Sequence, residues 1–211
     1  FVLVIAAGSQ IFTGLLTQFK QQSKISETNI EGIIGLEILR QDIEQAGYGL
    51  PWVIPATVAY SEAAAGYNDC AGASPCNPPR AILSGNGLGG FNGSDDYLVI
   101  KAVNIARNDA SPKSTTLKNA PPYVRIWTPS GENLSDSDHV IVLSPGATDM
   151  TLVVNSSASS DFSTTYSSVK TSPDWRPTDI TETRLVYGVD PSTNLRMPFN
   201  RADYFISNAN V

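Results

Sequence analysis

With 211 residues, 41% of them apolar and 16% charged, the chain is long enough to bury the core of one ordinary domain. Its net charge of −6, with the basic residues scattered, argues against nucleic-acid binding, which draws on clustered Lys and Arg to neutralise phosphates. Abundant Gly, Pro, Ser, Thr and Asn beyond residue 45 point to loop-rich β structure of the kind common outside the cytoplasm.

The first element is helical. The opening stretch FVLVIAAGSQIFTGLLTQF has no charged side chain, and it lacks the basic leader and small-residue cleavage site of a signal peptide. Phe1 to Ala7 is apolar all round, carrying Val2 and Ile5, and Phe12, Leu15, Leu16 and Phe19 continue one stripe at helical spacing. Ser9, Gln10, Thr13, Thr17 and Gln18 make it a weak membrane span alone, so it reads as part of one. From Ile30 the positions Ile30, Ile33, Leu36, Leu39, Ile43 and Ala46 recur every three or four residues, with Glu31, Glu37, Arg40, Asp42 and Glu44 between them. Gly47 and Gly49 suit a left-handed C-cap, and Pro51 forbids continuation. The pattern predicts one helix of about 46 residues, roughly 69 Å long. A globule of the remaining ~160 residues would be only about 40 Å across. Residues 1–24 are therefore expected to project into lipid or among similar helices, and 25–211 to form a head in which Ile33, Leu36, Leu39 and Ile43 pack on a sheet.

Residues 50–79 read as a long loop, with Trp52, Tyr60 and Tyr67 as aromatic pins. Within it Cys70 and Cys76 enclose AGASP, so the thiols could meet across a tight loop or stay unpaired; the spacing fits neither a CxxC redox pair nor a zinc site. A disulfide would imply periplasm or cell surface. Over 80–211 the expected strands are 80–83, 96–103, 123–127, 139–143, 150–154, 181–187 and 203–206, forming an antiparallel meander on the helix in an α+β fold. The polar tract at 155–168 is expected to be an exposed loop.

Several stretches imitate functional motifs. GNGLGG (85–90) satisfies a dinucleotide pattern but is followed by FNGSDDYLV where a helix should begin, so a mobile glycine loop is the plainer account. His139, the single histidine, opens an apolar strand and reads as an exposed edge residue rather than a catalytic base. The acidic loops 92–96 and 136–138 offer oxygen ligands without a known calcium spacing. Asn92, Asn133 and Asn155 each head an N-x-S sequon. No catalytic, cofactor or metal residue is proposed.

The run LRQDIEQAGYGLPW, through Arg40, Asp42, Ile43, Ala46, Gly47 and Tyr48, resembles the end of the long helix in the type IV pilin superfamily, specifically the PilW-type minor pilins. GSDDYLVIKAV (93–103) and TRLVYGVD (183–190) are similar to strands of those proteins, less specifically. The resemblance implies a pilin-like α+β fold and a structural subunit that primes or caps a filament. Other major and minor pilins, and a tip adhesin, would be its partners, with the inner membrane holding it before assembly. Helix packing would then fall to Val2, Ile5, Phe12, Leu15, Leu16 and Phe19. A pilin processing site would carry glutamate at its fifth position, where this chain has Ile5, so the sequence is expected to begin mid-helix; a member lacking the glutamate is the alternative. Two other readings are open: a J-type pseudopilin of type II secretion, which shares the plan, and a membrane-tethered carbohydrate- or surface-binding module using Trp52, Trp127 and Trp175.

Overall fold

The computed structural model describes residues 2–62, 67–86 and 96–205, without the side chains of residues 2–9 and 11. By compactness the chain divides into Phe1–Glu44 and Gln45–Val211, and each unit is described by itself.

The first unit is a single helix, α1 (Val2–Gln45), of 44 residues. No proline interrupts it, and Arg40 pairs with Glu44 at 2.9 Å and Glu37 at 3.5 Å along its surface. The hydroxyls of Thr13, Thr17 and Thr28 donate to the carbonyls of Gln10, Thr13 and Lys24, so these polar side chains are satisfied by their own helix. The chain then turns through Gly47 and Gly49, whose φ values of 86° and 68° are the left-handed geometry that the sequence assigns to them.

Among its described residues, the second unit holds two antiparallel sheets. The smaller is β1 (Ile82–Asn86), β2 (Asp96–Ala102) and β8 (Asn200–Phe205), with β2 in the middle. The larger runs β3 (Ser114–Lys118), β7 (Thr183–Asp190), β4 (His139–Pro145), β5 (Met150–Leu152), and β6 (Ser163–Thr165) also pairs with β4. This is not a simple meander, because β8 returns to β2 and β7 inserts between β3 and β4. The near-continuous apolar run of β4 follows from burial on both faces. Ile141 and Leu143 enter a core with Leu50, Val58, Tyr60, Val103 and Phe199, while Val140 and Val142 meet Leu117, Tyr166, Val169 and Trp175.

Three expectations are corrected. Segment 123–127 is not a strand: it makes one isolated bridge, Leu117↔Val124, beside β3. The polar tract at 155–168 is not simply exposed, since it contains β6, the start of α2 (Tyr166–Thr171) and the buried Phe162 and Tyr166. Thr165 caps α2, accepting from the Ser168 amide. Trp52 is no pin, being 60% exposed; the loop is held instead by Tyr60, buried edge-on against Phe199, and by Tyr67, stacked on Tyr97.

Gly49 combines positive φ with a close approach, for an added Cβ would lie 2.5 Å from Val103 Cγ2. Gly49→Ala is expected to destabilise the β unit by about 1–3 kcal/mol, through overpacking and left-handed strain together. Thermal unfolding of the variant checks this, and an unchanged midpoint would contradict the packing described.

Candidate functional site

At about 100° per residue, Phe12, Leu15, Leu16, Phe19, Ile30, Ile33 and Ile34 fall within one arc of α1 about 100° wide. All seven are exposed. Leu36, Leu39 and Ile43 share a second arc, about 60° wide and on the other side of the helix. Leu36 and Ile43 are exposed and Leu39 is intermediate. Val2 and Ile5 lie on α1, and their side chains are outside the described residues. Among the described residues, no helix is long and apolar enough to cross a membrane.

The β unit contains a second concentration of chemistry that the sequence does not announce. Lys101 is the next-to-last residue of β2, its side chain fully buried, directly across the ladder from Arg201 of β8. Opposed residues of an antiparallel pair share a face, so two cations are forced together and must be compensated. Compensation comes from the long loop: Lys101 Nζ lies 2.5 Å from Glu62 Oε2 and 2.6 Å from Asp69 Oδ2. Arg201 reaches Glu62 Oε2 at 3.0 Å and Asp203 Oδ1 at 2.7 Å, and Arg80 Nε reaches Asp69 Oδ1 at 2.6 Å. Three cations thus face three carboxylates, and the Phe199 ring lies 5.4 Å from Nζ.

These groups perturb one another in identifiable ways. Burial pushes the Asp69 carboxyl upward, but hydrogen bonds from Lys101 and Arg80 outweigh it and hold the group below the ordinary aspartate range. Burial, then the charges of Glu62 and Asp69, push the Tyr60 hydroxyl above its usual range. The Cys70–Cys76 disulfide is formed, with Cα atoms 5.0 Å apart. It closes onto the same cluster, because Glu62 Oε1 accepts from the amides of Asp69 (2.7 Å) and Cys70 (3.3 Å).

The other residues singled out in the sequence are dispersed. Trp175 is buried while Trp52 is exposed and Trp127 is intermediate, packed under Arg125 at 3.9 Å, so the three form no common ligand face. His139 is not at a sheet edge; β4 is paired there with Thr165 of β6 and Asp190 of β7, and its Nδ1 is buried without a hydrogen-bond partner. Asp138 accepts from the Ser135 amide and Asp136 pairs with Lys170. Asn133 bonds Trp127 at both its amide and carbonyl, and Asn155 accepts from the Ser157 amide. The stretch 87–95, with most of GNGLGG and Asn92, lies outside the described residues.

No family model, curated protein or solved structure matches this chain.

Replacing both cysteines by serine should cost about 2 kcal/mol, the loop-entropy value for so short a ring. Because Glu62 is held by the two amides beside the bridge, the loss should also raise hydrogen exchange at Asp69 and Cys70. Unchanged exchange there would separate the disulfide from the charge cluster.

Proposed function

We propose that the chain is a filament subunit of the minor-pilin kind, with α1 packing among other such helices and the β unit displayed outside. The observation that carries the reading is the exposed apolar arc from Phe12 to Ile34, on a helix that forms a unit of its own. Helices in proteins gain most of their stability from burying such a face, so an arc of this length asks for an apolar partner. Self-satisfied threonine hydroxyls favour the same surroundings, since they can enter an apolar environment without losing their bonds. The resemblance of the segment around Arg40 to Tyr48 points the same way. On this reading the chain binds other pilins and no cofactor, and it acts structurally rather than as an enzyme. It waits in the inner membrane with its head in the periplasm, then joins an extracellular filament.

Leu16→Asp tests the reading. Among packed helices an unpaired carboxylate costs several kcal/mol, so filament counts and pulldown with partner pilins should fall to background. Leu16 is 44% exposed here, so thermal unfolding of the purified chain should move by less than about 0.5 kcal/mol. Wild-type assembly with this variant would leave α1 as a tether and end the filament proposal.

A further inference from the structure

The surroundings of Lys101 raise a chemical question apart from any assembly role. A buried ammonium touching two buried carboxylates is either a permanent ion pair or the reactant state of an amide. The geometry points to the second: Lys101 and Asp69 form an intramolecular isopeptide cross-link, with Glu62 carrying the protons.

The components are in place. The side chains of Lys101 and Glu62 are fully buried and that of Asp69 is 2% exposed, so bulk water is kept from the reacting atoms. Nζ lies 2.6 Å from Asp69 Oδ2 and 2.5 Å from Glu62 Oε2, which brings amine, acyl carbon and proton carrier within reach at no further entropic cost. Arg80 Nε lies 2.6 Å from Asp69 Oδ1, the oxygen on which negative charge gathers when nitrogen attacks the carboxyl carbon. The buried Phe199 ring lies 5.4 Å from Nζ, an apolar wall beside the amine.

The step balances. Lys101 enters as an ammonium and Asp69 as a carboxylate. Glu62 takes a proton from Nζ and passes it to Asp69 Oδ2. The freed Nζ lone pair attacks the carboxyl carbon, and a second Nζ proton follows through Glu62 to the same oxygen. The bond from carbon to Oδ2 breaks, water leaves, and Nζ keeps one hydrogen in the new amide. Glu62 ends ionised as it began, and no oxidant or cofactor is consumed. Hydrogen bonds from Lys101 and Arg80 favour the ionised Asp69, so condensation is slow compared with folding and accumulates afterwards. The product would tie the 50–79 loop to the middle strand of the smaller sheet, beside the disulfide.

The test is the mass of the full chain, reduced and denatured, measured at intervals after purification. The expected result is a progressive loss of one water per chain. Trypsin should no longer cut after Lys101, and peptides 41–80 and 81–107 should be joined through Asp69 and Lys101. Full mass after prolonged incubation, with cleavage after Lys101, overturns the proposal, as does a water loss mapped to any other residue. Glu62→Gln in a chain that retains its unfolding midpoint should slow the mass loss at least tenfold; an unchanged rate would remove Glu62 from the chemistry.

Discussion

The β unit is organised around one costly placement, a buried ammonium group on the middle strand of its smaller sheet. Lys101 is fully buried and faces Arg201 across the ladder, so without counter-charges the site would be penalised by several kcal/mol per ion. The long loop after α1 answers this requirement by delivering Glu62 and Asp69 from one direction, while Asp203 comes from β8 itself. The backbone of the same residue is equally committed. Lys101 N–H donates to the Ala81 carbonyl, and its own carbonyl accepts from Gly47 N–H, each at 2.9 Å. One residue therefore joins the turn after α1, the end of the loop and the smaller sheet. That is how the described parts of the long 50–79 loop are anchored beside the smaller sheet.

The larger sheet is stabilised differently. Its middle strands β4 and β7 send alternate residues to two apolar clusters, so the sheet is covered on both faces and carries almost no buried charge. Ser144 and Arg184 meet at Glu182, whose carboxyl is held low first by the Ser144 hydroxyl and then by the guanidinium. Hydrophobic burial thus serves both sheets, through Leu83, Tyr97, Val99 and Ile100 in the smaller, and the neutralised polar cluster with its short covalent loop is added only there.

What could be read from the sequence follows from this division. The helix was legible because its periodicity is long and its stop is marked by Gly47, Gly49 and Pro51. Strands β2, β4 and β7 were legible because two-sided burial writes apolar runs such as LVI and VIVL into the chain. Strand β3 was not, since STTLK places its threonines in a ladder beside β7 and looks like surface. Nor was α2, whose few residues are nucleated by a Thr165 cap inside a polar tract and fixed by Tyr166 and Val169. The charge cluster was illegible for a deeper reason. Glu62, Asp69, Arg80, Lys101 and Arg201 are spread over 140 positions, and each one alone is the ordinary signature of a solvated surface.

The helix presents the opposite economy from the head. Its threonine hydroxyls at 13, 17 and 28 are satisfied internally, yet its apolar arc is not, and three of its glycines deepen the imbalance. Gly14, Gly32 and Gly35 each cost roughly 1 kcal/mol of helix propensity relative to Ala. A Cβ at any of them would meet nothing within 4 Å, so nothing in the described chain accounts for them. A neighbouring helix would, because small residues let backbones approach closely in an apolar setting. Gly14 and Gly32 are eighteen positions apart, about five turns, and so lie on one side of α1, away from the arc of Phe12 and Ile30 and in line with the shorter arc of Leu36, Leu39 and Ile43. Under the filament proposal, bulky residues on one side of a helix would seat over small ones on the opposite side of the next. Such a contact joins two different surfaces, and unless the rotation between copies closes a ring it propagates into an open helical array.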